Sequence, residues 1–222
     1  MKPDYTSRDG RIKLYNADCM DYMATLEPRA FELAVVDPPY NLARFRKGIG
    51  KNDRNTIKTK NEGWNNNSPT QAYWDGLFLS SHNQIIWGAN NFELPPTEYF
   101  CVWNKKQTVD NFASAELAWV SMGLKKPAKI FDYGIHQHNA AGGKIHPTQK
   151  PIPLYDWIYT NYAKSGDRIL DTHLGSGSSA IAAHYAGLEF VGIELDQEYF
   201  DAAVARFEKE TAQSDMFGKG AA

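Results

Sequence analysis

Apolar residues fall in short runs along this chain, separated by polar turn formers. The period of each run predicts its element. Residues 12–16 read as a strand, and Asp18 can cap a following helix to about Leu26, with Met23 and Leu26 on one face. Phe31-Glu32-Leu33-Ala34-Val35-Val36 reads as a buried strand. It must stop at Asp37-Pro38-Pro39-Tyr40, because two prolines cannot continue a central ladder. Ser68-Pro69 predicts a helix running to about Ser80, with proline in the first turn. Strands are expected at 84–87, 99–103 and 128–133, and helices at 113–122 and 153–163.

The last third carries the clearest signal. Residues 168–170 form a strand ending at Asp171, and the turn Gly175-Ser176-Gly177 opens a helix to about Ala186. Residues 190–193 form the next strand, ending at Glu194, and Asp196 caps a final helix to about Glu210. A β-α-β-α unit predicts a mostly parallel twisted sheet with helices on both faces. A single domain over 1–210 is expected, with inserted loops at 41–67 and 134–146 and a flexible C-terminal tail at 211–222.

Composition narrows the classes. A chain of 222 residues with 42% hydrophobic and 23% charged content matches a globular domain with a sizeable core. The net charge of −2 excludes a uniformly cationic binder of nucleic acid, so any such binding must use a local patch. The 41–67 stretch supplies one: Arg44, Arg46, Lys47, Lys51, Arg54, Lys58 and Lys60 face only Asp53 and Glu62. Trp64 lies in the same stretch; the other tryptophans are expected in the core or in pocket walls. Cys19 and Cys101 fit no ligand spacing or disulfide framework, so a reducing cytoplasm is expected. The opening residues Met1-Lys2-Pro3-Asp4 carry no apolar signal segment, and no run approaches the ~18–20 residues of a membrane span. His136, His138, His146 and His173 are irregularly spaced with no cysteine among them, so no metal site is expected.

Two segments carry chemistry. In Asp171-Thr172-His173-Leu174-Gly175-Ser176-Gly177 the glycines allow a tight turn and close approach of a ligand to the backbone. The N–H groups opening the next helix favour an anionic group. Glu194 ends the adjacent strand, where a carboxylate can accept hydrogen bonds from both hydroxyls of a ribose. Together these describe a nucleoside crevice. Gly175, Gly177 and Ala180 also fit a loose G-x-G-x-x-A pattern, which keeps NAD and an oxidoreductase open at this point. The second segment, Asp37-Pro38-Pro39-Tyr40, sits at a strand's C-terminal end. An exocyclic amine of a base is a poor nucleophile because its lone pair is delocalised into the ring. Asp37 can accept one of its N–H groups and the Pro38 carbonyl the other, which frees the lone pair. The prolines fix both acceptors in advance, and Tyr40 can stack on the base. Such a base must leave the duplex stack, at a cost of a few kcal/mol.

These residues resemble the DNA amino-methyltransferases. Asp37-Pro38-Pro39-Tyr40 resembles their catalytic motif, and 171–177 their cofactor motif, usually Asp-Pro-Phe-x-Gly-Ser-Gly. Val191-Gly192-Ile193-Glu194 resembles the ribose-binding strand, and His146-Pro147-Thr148-Gln149-Lys150-Pro151 the segment that holds the methionine end. Asn16-Ala17-Asp18-Cys19 is similar to the segment that meets the cofactor's adenine. Catalytic motif first and cofactor motif last is the circularly permuted order of the β group.

The resemblance implies a Rossmann-like methyltransferase fold and an S-adenosyl-L-methionine donor, with S-adenosyl-L-homocysteine as product. It also implies a DNA substrate, homodimers in many members, and a bacterial or phage origin. It implies adenine N6 as target, since Asp rather than Ser before Pro-Pro-Tyr favours it over cytosine N4. Asp37, Pro38, Pro39 and Tyr40 are the expected catalytic residues. Asp18, Cys19, Asp37, Thr148, Lys150, Asp171, Thr172, His173, Gly175, Ser176, Gly177, Glu194 and Leu195 are expected at the cofactor. Arg44, Arg46, Lys47, Lys51, Arg54 and Lys58 are expected at DNA. Thr172-His173 departs from the usual Pro-Phe and puts an imidazole where a phenyl ring is common.

Overall fold

The computed structural model describes residues 1–40, 68–110, 113–140 and 144–217. The basic 41–67 stretch, with Arg44, Arg46, Lys47, Lys51, Arg54, Lys58 and Trp64, therefore lies outside the described residues. The chain runs through β1 (Tyr5–Thr6), β2 (Ile12–Asn16), α1 (Cys19–Met23) and β3 (Phe31–Val36). It continues through α2 (Gln71–Ser80), β4 (Ser81–Trp87), β5 (Phe100–Asn104), β6 (Ala115–Val120), β7 (Lys129–Asp132) and α3 (Ile135–Ala140). It ends with α4 (Ile152–Tyr162), β8 (Arg168–Asp171), α5 (Ser178–Tyr185), β9 (Glu189–Glu194) and α6 (Gln197–Phe217).

Among the described residues nine strands join one sheet in the order β1-β2-β9-β8-β3-β4-β6-β5-β7. The five central strands, β2 to β4 in that order, pair in parallel. Strand pleat sends successive side chains to opposite faces. Leu33, Val35 and Ile85 join Leu154, Ile158, Ile181 and Phe207 under α4, α5 and α6. Ala34, Val36 and Ile86 meet Tyr73, Trp74 and Leu77 of α2 on the other side. This is the expected α/β sandwich, with helices on both faces. From β3 the chain moves to β4 on one side, and from β8 to β9 on the other. The β3/β8 boundary is thus the topological switch point, where open parallel sheets bind ligands at their carboxyl ends.

Three expectations are corrected. The segment 113–122, rich in Ala, Glu, Leu and Met, was expected as a helix from propensity. It forms strand β6, antiparallel to both β4 and β5. Two neighbouring strands that each need a partner outweigh propensity differences of a few tenths of a kcal/mol per residue. The 134–146 loop holds a short helix, α3. The last helix continues to Phe217, because no proline or glycine interrupts it before Gly218. Among the described residues no helix is long and apolar enough to cross a membrane.

Leu33 sits mid-β3 with 1% of its surface exposed, four residues before Asp37. Leu33→Ala should cost about 2–5 kcal/mol, the usual range for an aliphatic core truncation. Urea unfolding checks this, and a loss under ~1 kcal/mol would mean the sheet closes around the missing side chain.

Candidate active site

The carboxyl ends of β2, β9, β8 and β3 open onto a cavity of about 310 Å³. That lies at the small end of the roughly 300–1,000 Å³ typical of small-molecule sites. From β2 come Asp18 and Cys19, and from β9 Glu194 and Leu195. From β8 come Thr172, His173, Gly175 and Ser176, and from β3 Asp37 and Pro39. The segment before α4 adds Thr148 and Lys150. Asp37 and Gly175, far apart in sequence, thus face one crevice because β3 and β8 are adjacent, with Ala34 opposite Leu170.

Local hydrogen bonds explain the turn. Gly175 and Gly177 adopt φ of 52° and 73°, a region costly for other residues. Glu194 Oε2 accepts from Gly175 N–H at 2.9 Å, and Oε1 from Asp196 N–H at 3.0 Å. Each oxygen keeps a further lone pair for a ligand hydroxyl. Arg206 of α6 donates to the Ser176 carbonyl and Ser178 Oγ, and Ser178 Oγ donates to the Lys150 carbonyl at 2.7 Å. The glycine turn and the lysine segment therefore move as one body.

Four expected residues stand behind the wall instead of in it. Asp171 accepts from His173 N–H at 3.0 Å and Ser179 Oγ at 2.6 Å, so both its oxygens brace the turn. Burial pushes its carboxyl up to about 7, against those two hydrogen bonds. Gly177 is the left-handed residue before α5. Pro38 does not line the cavity, and the Tyr40 ring packs so closely on Gly88 that a Cβ there would meet it at 2.9 Å. Phe92 meets Tyr40 edge-on at 6.2 Å.

The polar centre is an ion-pair chain. The Lys150 ammonium contacts Asp37 Oδ2 and lies 3.2 Å from Glu116 Oε2. Glu116 Oε1 is 2.5 Å from Lys105 Nζ. Burial alone would lower the Lys150 pKa, but Asp37 and Glu116 outweigh it and hold the ammonium above its usual range. Burial likewise opposes ionisation of Glu116, yet Lys150 and Lys105 bring its carboxyl down to about 2. Burial raises the Asp37 carboxyl, with Lys150 pulling the other way. Asp37 Oδ1 is buried and has no hydrogen-bond partner among the described residues. An unused acceptor of this kind costs about 1–3 kcal/mol or more, so its place in the cavity wall calls for a ligand donor.

Sequence reasoning did not select Ala17, His146, Gln149, Tyr155, Leu174 and Tyr199, which also line the cavity. His146 and Gln149 belong to a segment already singled out. Tyr155 and Tyr199 reach in from α4 and α6, where nothing separates them from core aromatics. Glu116 and Lys105 were missed because β6 was read as a helix, which hid their common orientation.

The chain matches the DNA methylase family of N6 and N4 amino-methyltransferases over residues 54–205, and it belongs to that family. Type II methyltransferase M2.MboI of Moraxella bovis is 24% identical, with 95% of this chain and 93% of that protein covered. The fold is similar to PvuII DNA methyltransferase, described as cytosine-N4-specific, with a TM-score of 0.60 and 14% identity over 96% of this chain and 94% of the other. It is also similar to M1.HpyAVI in complex with S-adenosylmethionine, with a TM-score of 0.58 and 19% identity over 88% and 99%. The family consists of DNA methyltransferases that use S-adenosylmethionine.

Burial lowers the pKa of His173 to about 4 against a nearby Asp18, and that of His146 to about 4 with help from Lys150. Between about 4 and 6.5 the unfolded chain then binds more protons at these groups, so their contribution to stability falls as pH falls. Asp171 slopes the opposite way over the same range, so the effect is read as a difference. His173→Phe should lose less stability than the parent between pH 7 and pH 5 in urea titrations; equal losses would mean the imidazole is protonated in the fold.

Proposed function

We propose that the chain methylates adenine N6 of a base flipped from DNA, and that Asp37 is the acceptor that activates the amine. The observation that carries this reading is the division of the Asp37 carboxylate, a residue of the cavity wall: Oδ2 is held by Lys150, while Oδ1 is buried without a partner among the described residues. An N–H of the target amine is the complementary donor. Pro38 does not line the cavity, so the acceptor offered there is Asp37, which draws the nitrogen lone pair out of conjugation with the ring. S-adenosylmethionine supplies an electrophilic methyl group on a sulfonium, so the enzyme needs no further activation of the donor. The residues present fit that cofactor. Glu194 offers free lone pairs to ribose hydroxyls, and His173 and Leu195 offer flat and apolar surfaces to a purine. Gly175 lets a ligand approach the turn. Asp18, Cys19, Thr148, Lys150, Thr172 and Ser176 complete the wall. The burden on the protein is orientation, which can supply several kcal/mol of barrier lowering.

Adenine is preferred on the Asp-Pro-Pro-Tyr motif. Cytosine N4 is the second reading, supported by the likeness of the fold to a cytosine-N4-specific enzyme. The cationic residues between Arg44 and Lys58 would contact DNA phosphates.

Incubation with unmethylated bacterial DNA and tritiated S-adenosylmethionine, then digestion to nucleosides, should yield N6-methyl-2′-deoxyadenosine. Asp37→Ala should lower the transfer rate by about 10²–10³-fold or more, the scale for losing a preorganised polar group, with cofactor affinity nearly unchanged. N4-methyl-2′-deoxycytidine in the digest would replace the adenine assignment, and wild-type turnover by the variant would remove Asp37 from the chemistry.

Glu194→Ala should weaken S-adenosylmethionine by roughly 10–150-fold, the equivalent of the ~1.5–3 kcal/mol of a charged hydrogen bond. Titration calorimetry measures this directly, and an unaltered dissociation constant would rule out the ribose contact.

A further inference from the structure

Glu116 and Lys105 are set back from the cavity, yet they continue the ion-pair chain that ends on Asp37. Three separate parts of the chain supply its members: Asp37 after β3, Lys105 and Glu116 from the β5–β6 hairpin, and Lys150 before α4. Charges alternate along it. Both lysines also lie over tryptophan rings, Lys150 at 5.6 Å from Trp87 and Lys105 at 4.9 Å from Trp103. Cofactor binding gives Glu116 no task. A simple fold-stabilising role is a poor account of it as well, since desolvating such charges commonly offsets their attraction.

A lysine ammonium has three donors on a flexible stem, so one carboxylate does not fix where it sits. With Asp37 as its only partner, Lys150 would be free to straddle both carboxylate oxygens and occupy the acceptor needed by the amine. We propose that Glu116 is a positioning residue: it draws the Lys150 ammonium to one side, so that Lys150 holds Asp37 Oδ2 and leaves Oδ1 unpaired, as the acceptor for the target amine. Lys105 anchors the second oxygen of Glu116 and keeps it from turning away. This inference rests on Asp37 acting as the amine acceptor.

Among the described residues, the charged and titratable groups around Asp37 are Lys150, Glu116 and Lys105, with Tyr40 on its own segment, Asp171 at the end of β8, Tyr73 from α2 and Tyr155 from α4. Glu116 pushes the Asp37 pKa up and Lys105 pulls it down. An acceptor must be ionised, so activity falls as pH drops through the Asp37 titration. Removing the charge of Glu116 therefore moves the acid limb of kcat to lower pH, and removing that of Lys105 moves it to higher pH.

The test uses the full chain, tritiated S-adenosylmethionine and unmethylated bacterial DNA. Glu116→Gln should lower kcat by about 10²-fold, the scale of a misplaced reacting group, with an unchanged KM for S-adenosylmethionine and an acid limb shifted down. Lys105→Met should give a smaller loss and a limb shifted up. Opposite shifts from neighbouring residues are a signature that loss of packing does not produce. Wild-type kcat and pH profile in Glu116→Gln overturn the proposal. If that variant does not fold, Lys105→Met decides, and a limb that stays in place or moves down overturns it. An active parent with a fully active Asp37→Ala variant would instead defeat the underlying acceptor reading.

Discussion

Parallel pairing of β3 with β8 is the constraint on which the site depends. The two strands are distant in sequence, and each ends in a segment that cannot continue the sheet: Asp37-Pro38-Pro39 after one, the glycine turn after the other. Pairing in register brings both ends to the same edge. The strand after β3 lies on one side of the pair and the strand after β8 on the other, which makes the space between their tips the switch point of the sheet. The crevice is a consequence of topology, and the side chains only furnish it.

Furnishing such a crevice with charge carries a cost. Asp37, Lys150 and Glu116 are removed from most of the solvent, and desolvation opposes ionisation of each. Mutual attraction restores the charged forms of Lys150 and Glu116. What it does not restore is a partner for Asp37 Oδ1, which among the described residues is left as a buried, unpaired acceptor of a residue that lines the cavity. On the other wall, Asp171 resembles Asp37 in sequence position but has both oxygens engaged. Two aspartates at adjoining strand ends thus differ in their partners: one braces a turn with both oxygens, and the other has one oxygen unpaired among the described residues. Their hydrogen-bond partners make the distinction.

The strands and helices flanking the glycine turn were legible because periodicity and caps agreed with tertiary structure: Asp18 and Asp196 both cap as their positions imply. The cavity wall was legible for a different reason. Its chemistry is local to motifs, so Asp18, Thr172, Gly175 and Glu194 could be chosen without knowing the sheet order. What failed depended on long-range pairing. Residues 115–120 have helical propensity and become a strand only because β4 and β5 flank them. With that strand misread, the approach of Glu116 to Lys150 across 34 positions of sequence had no visible signal. Asp171 and Gly177 belong to the motif but stand behind the cavity wall, since a motif marks a turn without saying which of its atoms face the cavity.

The two halves of the problem are handled by different physics. The cofactor wall comes from backbone ends of four strands and is tied to α6 and to the lysine segment by Arg206 and Ser178, so its shape is set before any ligand arrives. Attraction of DNA cannot come from the chain as a whole, whose net charge is −2. It must come from a local concentration of cations, and the densest begins at Arg44, four residues beyond Tyr40. On the proposed reading, a phosphate held there is tethered through the intervening sequence to Asp37, the carboxylate proposed to receive the amine. On that reading, the energy of backbone contacts can then be applied to the cost of withdrawing a base from its stack. Adenine and cytosine both offer a conjugated amine to the same acceptor, so discrimination between them must fall to groups that meet the rest of the base edge.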